Sequence, residues 1–326
     1  MEKRKLGKSD LMVSSLGLGT MGMSEFYGST DEKQSIETIH AALDNGINFI
    51  DTANMYGMGH NEILVGKAIK KKRSEVILAT KFGIMRDEKA NIVGLNGKPE
   101  YVKLSCEESL IRLDTDVIDL YYLHRLDPNT PIEETVEAMA KLVKEGKVRY
   151  IGLSEISAEI LNRANKVHPI TSVQSEYSLW SRDVEDGVLS ECRNLDVSLV
   201  AYSPLGRGFL TGKIKSTEDL EVNDFRKNQP RFNDENLHKN LEIVKIIEEI
   251  ADNKKIKPSQ IALAWLLNKG KDIVPIPGTK RKTYLLENIE SVNVFLTQEE
   301  IIKLDVLGEL VVGTRYDSKR MTTLNK

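Results

Sequence analysis

The chain has 326 residues, of which 40% are hydrophobic and 29% are charged, and its formal net charge is -3. These proportions are typical of a globular protein and exclude a disordered or fibrous one. The near-neutral charge, without any basic stripe, argues against a nucleic-acid partner. No apolar run reaches the roughly 18 residues of a membrane span, which argues against a membrane protein.

The cysteines and the first residues indicate a compartment. Cys106 and Cys192 are far apart, lie in helix-like segments and show no C-x-x-C spacing, which favours free thiols in a reducing environment. The opening sequence MEKRKLGKSD lacks the apolar core of a secretory signal. We therefore expect a cytoplasmic protein, and the sequence gives no reason to infer an obligate protein partner. Because no linker or repeat interrupts the chain, we also expect a single domain over residues 1–326.

Short apolar runs alternate with longer amphipathic stretches along the chain. This alternation predicts parallel strands that are covered by helices on both faces. Eight such cycles predict a closed (β/α)₈ TIM barrel in the α/β class. The predicted strands are 15–19, 49–53, 76–82, 117–124, 148–154, 172–177, 199–203 and 273–277.

Several helix starts are predicted from capping patterns. Ser29 with Glu32, and Thr130 with Glu133, match the spacing of a capping box, and the second also has proline at the first helical position. The helices that follow should end near residues 45 and 145, at glycines. A further helix should start at Thr297.

Three segments extend the basic barrel. Residues 3–6 and 12–14 predict an N-terminal β-hairpin that covers the bottom of the barrel. A long polar loop, 206–237, follows the seventh strand, and an extra helix is predicted over about 241–252. Together with the helix after Thr297, this gives two extra helices. Long loops in compact domains are usually functional or disordered.

The run Gly17-Leu18-Gly19-Thr20-Met21-Gly22 fits the G-x-G-x-x-G pattern of dinucleotide-binding domains. That fold needs a helix to open at the last glycine. The residues that follow, 23–28, have no helical face, so we reject a Rossmann domain. We expect the glycines instead to let the backbone pass close to a ligand at the end of the first strand.

Polar side chains interrupt the ends of adjacent apolar strands. Asp51 ends the second predicted strand, Tyr56 lies in the loop after it, Lys81 ends the third strand and His124 the fourth. Each has an ordinary structural alternative: a capping Asp, a packed rim Tyr, a solvated Lys and a core His. Because the C-terminal ends of barrel strands share one mouth, their coincidence favours a catalytic group.

These four side chains suit proton donation to a carbonyl oxygen. A free tyrosine has a pKa of about 10, which is poorly matched to proton donation near neutrality. The Lys81 ammonium is predicted to lower the pKa of Tyr56, and Asp51 to hold Lys81 in place. His124 can donate a hydrogen bond to the carbonyl oxygen. The hydride must come from a cofactor, because no side chain donates hydride.

Two other chemistries find less support. The five histidines include no H-x-x-x-H pair, so no metal site is predicted. No G-x-S-x-G elbow is present, which argues against a Ser-His-Asp hydrolase.

Seven segments of the sequence closely resemble the aldo-keto reductase superfamily. They are GINFIDTANMYG, ILATKFG, DLYYLHRLDP, IGLSE, QSEYSLW, AYSPLGRGFLTGK and IPGTKRKTYLLEN. The resemblance is to its long-chain type, which includes perakine reductase, auxin-induced-type proteins and pyridoxal reductases. It implies a (β/α)₈ barrel that binds NADPH/NADP⁺ without a Rossmann domain and an oxidoreductase that reduces aldehydes or ketones, small-molecule carbonyl substrates, to alcohols. Asp51, Tyr56, Lys81 and His124 are the catalytic tetrad in this interpretation.

The resemblance also implies a set of cofactor-binding residues. Ser154 and Gln174 should hold the nicotinamide carboxamide, and Tyr202 should stack on the nicotinamide ring. The pyrophosphate should be bordered by Ser203, Pro204, Leu205, Gly206 and Gly208. The 2′-phosphate should be surrounded by Gly278, Thr279, Lys280 and Lys282, and the adenine by Glu287 and Asn288. Gly19, Thr20, Met21 and Asp51 complete the predicted cofactor-binding set.

Two positions depart from the family pattern. Glu155 stands where many members have Asn, which puts the carboxamide contacts in doubt. Tyr284 stands where many short-chain members have Arg, so Lys280, Arg281 and Lys282 are left to bind the 2′-phosphate. The sequence does not decide between those three residues.

A second class of function remains open. The same superfamily includes NADPH-binding regulatory subunits that resemble potassium-channel β subunits and retain the tetrad. The chain shows no long N-terminal extension, so we favour an enzyme. Phe26, Tyr177 and Trp180 are candidates for the walls of its substrate pocket, with core packing as the equal alternative for Trp180.

Overall fold

The computed structural model describes residues 1–222, 224–322 and 324. Its strands, in chain order, are β1 (Lys3–Lys5), β2 (Met12–Ser14), β3 (Leu18–Gly19), β4 (Phe49–Asp51), β5 (Ile77–Phe82), β6 (Ile84–Arg86), β7 (Ile92–Leu95), β8 (Ile118–Leu123), β9 (Val148–Ser154), β10 (Ser172–Glu176), β11 (Ser198–Tyr202) and β12 (Ile273–Ile276). Its α-helices are α1 (Glu32–Asp44), α2 (His60–Ile69), α3 (Pro99–Leu113), α4 (Ile132–Lys144), α5 (Ala158–Val167), α6 (Val188–Leu195), α7 (Asp234–Lys254), α8 (Pro258–Asn268), α9 (Lys282–Ile289), α10 (Gln298–Asp305) and α11 (Ser318–Met321).

Eight parallel strands form one sheet in the order β12-β11-β10-β9-β8-β5-β4-β3. The first and last strands of this order meet through a parallel bridge between Gly19 and Gly278. The Gly17 amide also donates to the Pro275 carbonyl at 2.9 Å. The predicted (β/α)₈ barrel is therefore confirmed, and all eight predicted strands belong to it.

The glycines of the first strand serve the closure of the barrel. A Cβ on Gly17 would lie 2.8 Å from side-chain atoms of Ile276 and of Phe49, and one on Gly19 would lie 3.0 Å from the Ile276 carbonyl oxygen. The close approach that these glycines permit is thus to a neighbouring strand. After Gly22 no long helix begins, because α1 starts only at Glu32, which agrees with the rejection of a Rossmann domain.

The predicted N-terminal hairpin is confirmed, since β1 and β2 pair antiparallel. Its Leu6, Leu11 and Val13 are buried in one cluster with the inward-facing side chains of the barrel. Gly7, in the turn, has φ +50, and a Cβ there would lie 2.5 Å from the Thr171 carbonyl oxygen. Because Thr171 immediately precedes β10, the hairpin covers the N-terminal end of the barrel and leaves the other mouth open.

The caps of two helices differ from the predicted capping boxes. Helix α1 is capped by Asp31, whose side chain accepts from the Gln34 amide, rather than by Ser29 with Glu32. Helix α4 has no side-chain cap, because Thr130 Oγ1 donates instead to Asp127 at 2.8 Å. The predicted helix start at Thr297 is confirmed, since Thr297 caps α10 and forms a capping box with Glu300.

Two insertions extend beyond what the sequence predicts. The segment after β11 contains four short 3₁₀ turns, and helix α7 begins at Asp234, several residues before the predicted start at about 241. An antiparallel pair, β6 with β7, follows β5 and was not predicted. Within the described residues, no helix is long and apolar enough to cross a membrane.

Candidate active site

The four predicted catalytic side chains belong to the C-terminal mouth of the barrel. Asp51 ends β4 and Lys81 lies near the end of β5, while His124 directly follows β8. Tyr56 is in the 3₁₀ turn after β4. Lys81 is fully buried, and the other three side chains are between 3% and 8% exposed.

Lys81 connects two members of this group. Its Nζ donates to Asp51 Oδ1 at 2.5 Å, to the Thr52 carbonyl at 2.8 Å and to the Tyr56 hydroxyl at 3.2 Å. The second carboxylate oxygen of Asp51 accepts from Gln174 Nε2 at 2.8 Å. Both oxygens of Asp51 and all three donor directions of Lys81 are therefore used, so the buried ion pair has one fixed geometry.

Burial and charge act in opposite directions on this pair. Burial disfavours the Lys81 ammonium, but the Asp51 carboxylate and the Tyr56 hydroxyl outweigh it and raise the pKa of Lys81. Burial raises the pKa of Asp51, against the effect of Lys81 and Gln174. Because both carboxylate oxygens accept hydrogen bonds from donors that favour the charged form, we describe the pair as carboxylate and ammonium.

The net shift at Tyr56 differs from the sequence-based expectation. Burial raises the pKa of the Tyr56 phenol, and the Lys81 ammonium lowers it without outweighing burial. Lys81 therefore acts in the predicted direction, but the pKa of Tyr56 is raised overall. The sequence-based expectation did not include the effect of burial on the pKa, because residue types alone do not show how deeply Tyr56 is buried.

His124 lies edge-on to the Tyr56 ring, with ring centroids 5.9 Å apart. Burial, followed by the charges of Arg125 and Lys81, holds the pKa of His124 well below its usual range. A neutral imidazole keeps one N–H. It suits a hydrogen-bond donor rather than a cation at this position.

The residues predicted to hold a nicotinamide surround the same mouth. Ser154 ends β9 and Gln174 lies within β10. The two residues are partners in the register of these neighbouring strands. Tyr202 ends β11, and its hydroxyl lies 3.3 Å from the Tyr316 hydroxyl. The structure thus brings these three side chains to the end of the barrel where Asp51 lies, since Gln174 contacts Asp51 directly.

Glu155 takes a different role from the Asn that it replaces. It is buried, has φ +53 and accepts from Arg315 at 3.1 and 3.2 Å. Its Oε1 also accepts from the Glu176 amide at 2.9 Å. Both oxygens are committed, so Glu155 anchors the C-terminal segment through Arg315.

The loop predicted to meet the pyrophosphate has an unusual backbone. Ser203, Gly206, Arg207 and Gly208 all have positive φ, between 48° and 92°. Two of its amides are engaged within the loop, since Gly206 and Gly208 donate to the Ser203 and Leu205 carbonyls at 2.9 and 3.0 Å. Gly206 is also required by packing, because a Cβ there would lie 2.8 Å from the Trp180 ring.

The predicted 2′-phosphate segment is only partly free. Lys280 Nζ donates to the Tyr27 carbonyl at 2.7 Å and also to the Ser29 carbonyl. Lys282 and Arg281 are exposed. Tyr284 carries Lys213 Nζ over its ring, 3.8 Å from the centroid. The basic side chains at this end of the barrel thus include Lys213, from the loop after β11.

The remaining predicted cofactor residues are placed as follows. Asn288 is buried and Glu287 is half-buried on α9, where Ser259 donates to Glu287 Oε1. Thr20 is buried, and its Oγ1 donates to Asn61 Oδ1 at 2.6 Å, so this hydroxyl is already engaged. Pro204 and Leu205 lie between β11 and the following 3₁₀ turn, next to the loop described above.

An apolar wall lies beside Tyr56. Ala53, Met55, Tyr56 and Ile84 form a cluster with the half-buried side chains of Met21, Phe26 and Leu95. Of the three predicted pocket aromatics, Phe26 is therefore next to the site. Tyr177 is not a wall of this site, because it is fully buried and packs against Trp265. The packing alternative for Trp180 fits the structure, since Trp180 is 2% exposed and stacks on Phe209.

Arg125 is a residue of the site that sequence reasoning missed. Its Nη1 donates to the His124 carbonyl at 2.6 Å and to Ser154 Oγ at 3.2 Å. The signal was available, since Arg125 is a cation directly after a strand-end histidine. No cluster of His, Cys, Asp or Glu that could hold a metal ion occurs in the described part of the chain.

Comparison with known proteins identifies this arrangement. The model of the Aldo/keto reductase family matches residues 15–309. The chain belongs to the aldo/keto reductase family. A curated relative, "Probable aldo-keto reductase 1" of Glycine max, is 46% identical over 318 residues, which cover 96% of this chain and 91% of that protein.

Solved structures of other aldo-keto reductases have the same fold. The glycerol dehydrogenase AKR11B4 from Gluconobacter oxydans is 31% identical, with a TM-score of 0.87, over 97% of this chain and 98% of its own. An aldo-keto reductase from Klebsiella pneumoniae, solved in complex with NADPH, is 27% identical, with a TM-score of 0.76, over 97% of this chain and 99% of its own. The family assignment makes the chain an oxidoreductase of the carbonyl-reducing kind.

Proposed function

We propose that the protein reduces aldehydes or ketones to alcohols with NADPH and that Tyr56 donates the proton. The observation that carries this proposal is the buried Lys81 ammonium, held by Asp51 and donating to the Tyr56 hydroxyl at 3.2 Å. A fully buried lysine is costly unless it is paired, and this one reaches both a carboxylate and a phenol at a barrel mouth.

The residues present fit NADPH. The loop 203–208 would border the pyrophosphate, and Arg281, Lys282 and Lys213 place positive charge where a 2′-phosphate is expected. Ser154 and Gln174 would hold the carboxamide, Tyr202 the ring face, and Asn288 with Glu287 the adenine. The related Klebsiella pneumoniae protein was solved with NADPH, which supports this choice. When bound, the cofactor supplies the hydride.

The side chains divide the remaining work. Tyr56 gives its hydroxyl proton to the carbonyl oxygen, and the Lys81 ammonium stabilises the phenolate that is left. Asp51 is a positioning residue that keeps Lys81 charged and in place. The neutral His124 donates a hydrogen bond to the same oxygen, while Met21, Met55 and Ile84 exclude water from one side.

The proposal predicts NADPH oxidation on addition of an aldehyde. We would follow cofactor absorbance with 4-nitrobenzaldehyde and identify the alcohol product by chromatography. Steady turnover with stoichiometric alcohol supports the enzyme. Tight NADPH binding without turnover of any aldehyde or ketone in a broad panel contradicts it and favours the NADPH-binding regulatory subunit.

We also predict that the protein prefers NADPH to NADH. A charge-assisted contact with phosphate contributes about 1.5–3 kcal/mol, or one to two decades in affinity. The double variant Lys280→Ala with Lys282→Ala should therefore weaken NADPH binding by that factor and leave NADH binding nearly unchanged. Titrations of intrinsic fluorescence measure both, and the difference should shrink at high salt.

The single variants distinguish a lysine that contacts the 2′-phosphate from one that only holds a neighbouring loop in place. Because Lys280 is bonded to carbonyls of residues 27 and 29, its loss is expected to weaken both cofactors if it only ties that loop. Lys282→Ala should affect NADPH alone. Lys271→Ala, which removes a charge at the barrel bottom where Lys271 pairs with Glu2, is the control. Equal affinity of the unmodified protein for both cofactors would refute the assignment of the 2′-phosphate site.

A further inference from the structure

Arg125 lies among the reacting groups and yet has no assigned role in reduction. It directly follows His124. Its Nη1 donates both to the His124 carbonyl at 2.6 Å and to Ser154 Oγ at 3.2 Å. Its charge lowers the pKa of both His124 and Tyr56. These observations place the guanidinium across the mouth, between the catalytic group and the strand end that carries Ser154.

The other edge of this guanidinium is unused. Arg125 Nε and Nη2 make no hydrogen bond within the described chain, and they are not among its fully buried polar atoms that lack a partner, so each keeps some solvent-accessible surface. No carboxylate of the described residues lies within 4.0 Å of Arg125. Nearby arginines differ, because Arg207 pairs with Glu176 at 2.9 Å and Arg315 pairs with Glu155 at 3.1 Å.

Glu155 does not pair directly with Arg125. Glu155 acts on it only through space, since both of its oxygens already accept from Arg315. The other groups that face Arg125 are the phenols of Tyr56, Tyr202 and Tyr316. Burial lowers the pKa of Arg125, but Tyr202 and Glu155 outweigh burial and raise it overall, so the guanidinium is a cation that no carboxylate contacts directly. The Nε–Nη2 edge presents two parallel N–H groups, which match the two oxygens of a carboxylate.

We propose that Arg125 binds a carboxylate on the substrate, so that the preferred substrates are aldehydes or ketones that carry a carboxylate besides the reacting carbonyl. This inference rests on the proposed carbonyl reduction and names its substrate class. The carbonyl oxygen lies between Tyr56 and His124, and the carboxylate takes the free edge of Arg125. Nη1 stays bound to His124 and Ser154, which fixes the orientation of the guanidinium.

The test compares each acid with its own neutral ester. We would measure kcat/KM for 3- and 4-carboxybenzaldehyde and for methyl 3- and methyl 4-formylbenzoate, in the unmodified protein and in Arg125→Met and Arg125→Lys. Removal of the guanidinium also perturbs Tyr56, which changes the rates of acid and ester together. The acid-to-ester ratio cancels that shared effect. Arg163→Met, which removes an equal charge from the outer surface where Arg163 pairs with Glu133, is the control.

The unmodified protein is expected to favour at least one acid over its ester. Arg125→Met should lower that ratio about 10- to 100-fold, mainly through KM. Arg125→Lys should retain part of it, because the charge remains and the planar fork is lost. Arg163→Met should leave the ratio as it was.

Two results would overturn the inference. They are a ratio near or below one in the unmodified protein and a ratio that Arg125→Met leaves unchanged. If an unchanged ratio comes with weaker NADPH binding, Arg125 only supports Ser154. Reduction of the esters without a preference for the acids refutes this inference alone, whereas failure to reduce any of the four aldehydes refutes the proposed function.

Discussion

Replacement of Tyr56 by Phe is expected to lower kcat for aldehyde reduction by about 10²–10⁴-fold, the usual contribution of a general acid. The substitution removes one hydroxyl and keeps the ring, which packs with Ala53, Met55 and Ile84. The affinity for NADPH should change little, because the hydroxyl is bonded to Lys81 and not to a residue of the predicted cofactor groove.

Single-turnover and steady-state rates measured with 4-nitrobenzaldehyde, beside the NADPH dissociation constant, test this expectation. Tyr150→Phe is the matched control, since it removes a phenol whose hydroxyl bonds Asp10 at the far end of the barrel. Near-normal turnover in Tyr56→Phe would remove this residue from the mechanism. An equal loss in Tyr150→Phe would show that the effect is not local.

The barrel and the residues of its mouth were predictable from the sequence for a simple reason. Parallel strands that are buried on both faces appear as apolar runs, and a polar residue at the end of such a run needs a local purpose. Asp51, Lys81 and His124 were found in this way. The roles assigned to them stay predictions, because geometry alone does not show which proton moves.

Helix starts were less predictable because neighbouring residues compete for the same cap. Residues 29–32 include three side chains that can cap a helix. The backbone of Ser29 is held by distant residues, since its amide donates to Glu221 and its carbonyl accepts from Lys280. Asp31 therefore becomes the cap of α1. These contacts join residues about 190 to 250 positions apart in sequence, which a local pattern cannot show.

Helix α7 is longer than its apolar pattern predicted for a similar reason. Asn240 is fully buried, and its side chain forms two hydrogen bonds with the Val312 backbone, at 3.0 and 2.9 Å. A polar residue in the first turns of the helix is thus satisfied by the C-terminal segment. The same segment brings Arg315 to Glu155, which gives the departure from the family's Asn a structural explanation.

Replacement of Lys81 by Met is the second change with a large expected effect. Without the ammonium, the pKa of Tyr56 rises further, because only the smaller effect of Arg125 then opposes burial. A weaker acid donates its proton more slowly, so we expect a loss of reduction comparable to that in Tyr56→Phe.

Asp51→Asn should lower the rate of reduction less than Lys81→Met, because Asp51 acts through Lys81. Without that carboxylate, burial lowers the pKa of Lys81. As the pH is raised, the ammonium should therefore deprotonate, and activity should fall, at a lower pH than in the unmodified protein.

The pH profile and a double variant separate tuning from folding. Removal of one partner of a buried ion pair costs about 3–5 kcal/mol of stability, so Lys81→Met alone should also lower the melting temperature. Combining Lys81→Met with Asp51→Asn removes both charges and should recover part of that stability while activity stays low. Lys67→Met, which breaks only the exposed pair with Glu32, is the control. If Lys81→Met keeps both the rate and the pH profile of the unmodified protein, Lys81 does not tune Tyr56. If the double variant recovers activity together with stability, the loss in Lys81→Met was one of folding.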